Sequence, residues 1–249
     1  MTILETQELT RRFGGLAAVN RISLSIQAGQ VRSIIGPNGA GKTTLFNLIT
    51  GALAPTAGTI VFRGRDITGL APPAIFRLGI VRSFQISQVF PKLTARENVA
   101  LMAWGRVRTS GSPFARARAT ADEVDHRVDA LLDQVGLAEL ADQLAGTLAH
   151  GDRRLLEIAM ALAAGPELLL LDEPTAGMSP EETKQTALLL RSLAPDITLV
   201  IVEHDMSVVM AISDRISVLH RGELLAEGPP EEIRANPDVQ AVYLGGAPR

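Results

Sequence analysis

The stretch Gly36-Pro37-Asn38-Gly39-Ala40-Gly41-Lys42-Thr43-Thr44 constrains this chain more than any other. It fits the pattern GxxxxGK[ST], which arises by chance in roughly one chain in a hundred of this length at average glycine usage. Its context is what the pattern requires. Val31-Arg32-Ser33-Ile34-Ile35 reads as a short buried strand, and Lys42 to Thr50 reads as the helix that follows. Glycines let backbone N–H groups curl around phosphate oxygens, and the helix adds its positive N-terminus. Lys42 is placed to reach β- and γ-phosphates, and the Thr43 hydroxyl to ligate Mg²⁺. The expected cofactors are therefore ATP and Mg²⁺.

A second feature answers the first. Leu168-Leu169-Leu170-Leu171 is the densest apolar run, and Asp172-Glu173 ends it. Two carboxylates at the end of a buried strand lie at the edge where open α/β sheets bind ligands. Asp172 suits Mg²⁺ held through water, and Glu173 suits polarising the attacking water. Thr198 to Val202 is another buried-strand candidate, rich in β-branched residues. Ile216 to Leu219, Arg221-Gly222-Glu223 and Leu224 to Ala226 read as a hairpin. Between them, from about Thr94 to Ala164, the chain reads as helical, with Arg108 to Arg118 as a surface loop.

Composition narrows the classes. The chain has 249 residues, enough for a full α/β core. Its net charge of −3 gives no footprint for nucleic acid. Aromatics at 4% leave little for stacking on bases, and the absence of Cys removes disulfides and thiolate metal sites. The N-terminus Met1-Thr2-Ile3-Leu4-Glu5 does not read as a signal peptide, and no apolar run approaches a membrane span. Membrane association is expected through a partner.

With these motifs in place, the chain resembles ATP-binding cassette (ABC) transporter subunits over nearly its whole length. The resemblance adds three residues. Phe13, before the first strands, sits where the family stacks an aromatic on adenine. Gln85, in Arg82-Ser83-Phe84-Gln85, matches the glutamine that touches Mg²⁺ and the attacking water. His204, in Val202-Glu203-His204-Asp205, matches the histidine that contacts the γ-phosphate. Glu173, His204 and Gln85 are then the expected catalytic set, and Thr43, Gln85 and Asp172 the expected metal ligands.

Two stretches depart from the family pattern. Where its signature reads LSGGQ, this chain has Leu148-Ala149-His150-Gly151-Asp152. The serine hydroxyl is lost, while backbone N–H groups and the helix dipole after Gly151 remain. Ala149, His150 and Gly151 are still expected to meet nucleotide. Where the D-loop usually reads SALD, Ala176-Gly177-Met178-Ser179 stands here. The altered signature and the tail, with Ala226-Glu227-Gly228, Asn236-Pro237 and Val242-Tyr243-Leu244-Gly245, look like the LivG-type ATPase of branched-chain amino-acid importers.

The resemblance implies an α/β, RecA-like P-loop NTPase with an antiparallel β region near the N-terminus and a helical subdomain insert. It implies an ABC ATPase domain over 1–225, with the helical subdomain at about 94–164, and a C-terminal extension over 226–249. It further implies membrane permease subunits, a second ABC ATPase as dimer partner, an indirectly linked solute-binding protein, and a place on the cytoplasmic face of the membrane. Val89, Phe90, Pro91 and Leu93 would line the groove that receives a permease helix. Two other classes compete with this reading. A soluble ABC ATPase of DNA repair or the ribosome would carry coiled-coil insertions or tandem cassettes, which this chain lacks. A P-loop kinase would not explain Gln85, Gly151 and His204 together.

Overall fold

The computed structural model describes residues 1–83, 89–109 and 121–244. Its centre is a six-stranded sheet in the order β10-β9-β3-β8-β7-β6. The strands are β3 (Val31–Ile35), β6 (Ile80–Arg82), β7 (Leu168–Asp172), β8 (Thr198–Val202), β9 (Arg215–His220) and β10 (Glu223–Gly228). All pair in parallel except β10, which returns antiparallel on β9. The central strands β7 and β8 carry near-continuous apolar runs because both faces are covered. Leu168 and Leu170 of β7 enter one core, Leu169 and Leu171 another. Val200 and Val202 of β8 likewise oppose Leu199 and Ile201. The β9–β10 hairpin turns on Arg221 and Gly222, with φ of 50° and 83°, the pair of left-handed residues a type I′ turn demands.

One core lies between this sheet and a second, four-stranded antiparallel sheet in the order β2-β1-β4-β5. Its strands are β1 (Thr2–Phe13), β2 (Leu16–Gln27), β4 (Ala57–Phe62) and β5 (Arg65–Asp66). In β2, Ile22, Leu24 and Ile26 are buried and their neighbours exposed, the period-2 pattern of a sheet with one wet face. Helix α1 (Lys42–Ile49) fills this core with Leu45, Phe46, Leu48 and Ile49. A short α2 (Pro72–Arg77) leads into β6. The expected antiparallel region is present. Phe13, however, is the last residue of β1 and not ahead of the first strands.

The other core joins the sheet to the helical region. That region comprises α3 (Ala95–Thr109), α4 (Ala121–Gln134) and α5 (His150–Ala163). Val124, Val128 and Leu132 of α4 recur at i, i+4 and i+8 and pack with Val99 and Ala103 of α3 and Leu156 of α5. The expected loop begins later than Arg108, since α3 continues to Thr109; residues 110–118 lie outside the described ones. Beyond it, α6 (Pro180–Leu193) and α7 (Met206–Ile212) complete this side. The tail adds α8 (Pro230–Ala235) and α9 (Pro237–Leu244). Strand β10 spans the boundary expected after residue 225, so the tail continues the central sheet. Among the described residues no helix is long and apolar enough to cross a membrane.

One buried ion pair secures that continuation. Arg32 of β3 is 1% exposed and meets Glu227 of β10 at 2.8 Å, and also donates to Ser217 Oγ and the Ser25 carbonyl. Glu227→Ala leaves this guanidinium buried without a counter-charge. It is expected to lower unfolding free energy by about 3 kcal/mol, seen as an earlier urea midpoint. A loss under about 0.5 kcal/mol, the range of surface substitutions, would contradict it.

Candidate functional site

The parallel registers bring three strand ends together. Ile34 of β3 and Asp172 of β7 both pair with Val202 of β8. The segments that leave these strands therefore emerge side by side: Gly36–Thr44, Glu173, and Glu203-His204. This is the carboxyl edge of an open α/β sheet, where ligands bind.

The phosphate loop is held by backbone contacts that tolerate no side chain. A Cβ on Gly36 would lie 2.2 Å from the Leu219 carbonyl oxygen, and one on Gly41 would lie 2.4 Å from that of Ala18. Gly41, at φ 104°, caps α1 without a side-chain acceptor. The Ala40 carbonyl accepts from Gly222 N–H at 3.0 Å, which fastens the loop to the β9–β10 turn. Asn38 and Gly39 face solvent, with Pro37 and Thr44 half-buried beside them. Lys42 is 7% exposed and donates to the carbonyls of Gly36 at 2.6 Å and Pro37 at 3.1 Å. Burial lowers its pKa, and the nearby charges of Glu173 and Asp172 act the other way.

The two carboxylates sit in different surroundings. Asp172 is 2% exposed and ion-paired through Oδ2 to Arg82 Nη2 at 2.8 Å. Glu173 has φ of 51°, a left-handed backbone that costs a non-glycine residue about 1–3 kcal/mol. That turn, fixed by Glu173 N–H donating to the Val202 carbonyl at 2.8 Å, carries its carboxylate to His204. His204 Nε2 lies 2.8 Å from Glu173 Oε1, and both side chains remain partly open to solvent. Thr43, the residue after Lys42 in the phosphate loop, is exposed and supplies a hydroxyl. A hydroxyl and a carboxylate oxygen are the hard donors Mg²⁺ takes, with phosphates and water completing the shell, so these residues fit it.

Two residues here escaped sequence reasoning. Glu203, 4% exposed, accepts from Thr175 N–H at 3.0 Å, from Thr175 Oγ1 at 2.7 Å and from His204 N–H at 3.1 Å. It ties the turn after β7 to the histidine after β8. Arg82, at the end of β6, is the second. Each is a charge directly following a buried apolar strand, the same signal that drew attention to Asp172.

The remaining expected residues lie elsewhere. Ala149 is the N-cap of α5 and offers no side-chain cap, leaving the first-turn N–H groups to other acceptors. His150 Nε2 lies 3.1 Å from the Ala176 carbonyl, so that nitrogen carries the hydrogen. A Cβ on Gly151 would lie 2.4 Å from Glu182 Oε1. The signature stretch thus packs on its own chain's D-loop stretch. Phe13 is 46% exposed with the Arg11 guanidinium 4.8 Å from its ring centre. Tyr243 of α9 approaches Gly36: burial pushes its phenol up to about 12, the Gly36 N–H opposes the rise, and 38% of the residue stays exposed. Gln85 lies outside the described residues.

The sequence profile of a family described as "ABC transporter" matches residues 19–176. The chain belongs to this family. Its fold is that of the ABC ATPases, and ATP-binding cassettes solved in nucleotide-free and ADP forms superimpose on it with a TM-score of 0.86. The nucleotide-free one is 32% identical and the ADP one 33%, and the match covers 99% of this chain and 100% of each. A second profile, described as "Branched-chain amino acid ATP-binding cassette transporter", matches residues 223–248. The high-affinity branched-chain amino acid transport ATP-binding protein LivG of Salmonella typhimurium is 46% identical over 98% of both chains. The corresponding BraF protein of Pseudomonas aeruginosa is 44% identical over the same shares. A probable LivG of Archaeoglobus fulgidus is 37% identical, across 98% of this chain and 96% of its own.

Proposed function

We propose that this cassette is the ATP-hydrolysing subunit of an importer for branched-chain amino acids or related small polar solutes. It would work at the cytoplasmic face of the cell membrane through permease subunits, with a solute-binding protein acting on the far side. The observation that carries the ATPase reading is the convergence of Lys42, Asp172, Glu173 and His204 on one sheet edge, with His204 against Glu173 at 2.8 Å. The names of the relatives and the matched tail support the solute class. The domain reading follows: a cassette over 1–225 with its helical subdomain at about 94–164, and an extension over 226–249 that reaches back to the phosphate loop through Tyr243.

In this reading Lys42 leaves the Gly36 and Pro37 carbonyls for β- and γ-phosphate oxygens, and the backbone N–H groups of 36–44 surround the phosphates. Phe13 stacks on the adenine. Thr43, Asp172 and Gln85 would hold Mg²⁺, which would supply positive charge to the phosphates. Glu173 orients and polarises the water that attacks the γ-phosphorus, and ADP leaves. His204 holds Glu173 by its Nε2 and contacts the γ-phosphate.

The partners have candidate surfaces. Phe90 is 51% exposed, and Leu101 and Trp104, 46% and 37% exposed, share one face of α3 nearby. The backbone at Phe90 is anchored, because the fully buried Asn98 accepts from Phe90 N–H at 2.7 Å and donates to the carbonyls of Phe90 and Thr94. An anchored apolar rim suits a permease helix. The second cassette would place its signature on this chain's ATP, and this chain would offer Ala149, His150 and Gly151 in return. With the serine hydroxyl missing and His150 engaged by Ala176, only backbone donors and the helix dipole face that second ATP.

Glu173→Gln keeps the shape and removes the base. It is expected to bind ATP as the parent does and to hydrolyse it about 10² to 10⁴ more slowly. A variant retaining more than half of parental turnover would refute the role. For the partner, ATPase rate and ATP-dependent dimerisation are measured for this chain alone and with a cassette bearing an LSGGQ-type signature. A full-strength site needs the partner's serine, and a hydrogen bond to a charged group contributes about 1.5–3 kcal/mol, so the mixed pair should be severalfold faster. Equal rates, with a stable ATP-bound Glu173→Gln homodimer, would overturn the mixed pairing.

A further inference from the structure

Arg82 has no place in the ATPase scheme above, yet it makes the closest charged contact to Asp172. We propose that Arg82 is the resident counter-cation of Asp172, which keeps this strand end from taking a divalent ion until the ion arrives with nucleotide. The proposal rests on the reading of Asp172 as a metal ligand.

The geometry makes Arg82 a fixture. Register places it opposite Leu170 of β7, so its side chain starts two residues from Asp172. Nη2 meets Asp172 Oδ2 at 2.8 Å, and Nη1 donates to Asn47 Oδ1 on α1. The guanidinium lies over the Phe46 ring, 5.4 Å from its centre. Its side chain is 13% exposed, and Nε is buried without a partner among the described residues. A surface arginine would swing away from an incoming metal ion; this one is held by α1 as well as by the carboxylate.

A fixed positive charge beside a ligand repels any further cation, and the repulsion is strong where water is scarce. Lys42 adds a second positive charge nearby, since Asp172 and Glu173 both act on it. Arg82 and Lys42 offset the charges of Asp172 and Glu173, and the third carboxylate, Glu203, is committed to Thr175 and the His204 N–H, so little negative charge is left to offer free Mg²⁺. Among the described residues no group of three or more acidic, His or Cys side chains gathers to make up the deficit. A metal–nucleotide complex differs, because its phosphates bring the missing negative charge to Lys42 and the loop. Arg82 also occupies Oδ2, so Asp172 is oriented with Oδ1 left for the ion. It is a positioning residue, acting on metal through Asp172.

The test follows Mn²⁺ by electron paramagnetic resonance on the nucleotide-free full chain and again with a non-hydrolysable ATP analogue. The parent should hold Mn²⁺ weakly without nucleotide and tightly with it. Arg82→Gln should bind Mn²⁺ without nucleotide at least about tenfold more tightly than the parent, a difference of about 1.4 kcal/mol. Adding Asp172→Asn should abolish that gain. Unchanged affinity in Arg82→Gln, or a gain that survives Asp172→Asn, would overturn the proposal. So would a parent that binds Mn²⁺ equally well with and without the analogue, a result needing no Arg82 variant. Arg82→Lys, which keeps the charge, should stay close to the parent and guards against a glutamine variant that folds poorly. If Asp172→Asn leaves analogue-dependent Mn²⁺ binding intact, the metal-ligand reading itself fails, an outcome distinct from the others.

Discussion

A strand buried on both faces and ended by a charge has one workable register. β7 can slide its four leucines between two apolar cores at little cost, but a slip that drew Asp172 inward would bury an uncompensated carboxylate. The charge therefore marks where the sheet must stop, and Arg82 waits there to meet it at 2.8 Å. With β7 fixed, the pairing of Asp172 with Val202 fixes β8, and the pairing of Val202 with Ile34 fixes β3. The phosphate loop, the acidic pair and His204 inherit their common edge from that sequence of registers.

Much of this was readable along the chain. The strand before Gly36, the helix from Lys42, the apolar runs of β7 and β8 and the Arg221-Gly222 turn each carry a local signal. The first hairpin does not. Its twelve-residue strands are interrupted where Glu8 and Arg21 adopt left-handed backbone and the register shifts, and their outer faces are polar. Alternation survives only after the Arg21 break, from Ile22 to Gln27, so the sequence reads Phe13 ahead of the strands although it ends the first of them.

The sheet edge of the candidate site was legible and its supports were opaque. Lys42, Asp172 and Glu173 follow from motif and spacing, and His204 from the family resemblance. Arg82 and Glu203 depend on partners far off in the chain: Asn47 and Asp172 for one, Thr175 for the other. The same holds for His150, whose ring is taken up by the Ala176 carbonyl, a contact with no counterpart in the spacing of residues. Environment then separates two adjacent carboxylates. Asp172 is sealed and paired with a fixed cation, whereas Glu173 is partly open and paired with a histidine, the contrast expected of a metal ligand beside a base.

The central claim is that the loop of 36–44 holds the phosphates of ATP through the Lys42 ammonium. This group hydrogen-bonds the Gly36 and Pro37 carbonyls of its own loop, contacts that phosphate oxygens would replace. Equilibrium binding of a fluorescent ATP analogue to the parent and to Lys42→Ala measures that exchange directly. The account predicts a loss of affinity of about a hundredfold or more, equal to roughly 2.7 kcal/mol, with the fold intact by circular dichroism. An affinity within about twofold of the parent would contradict it.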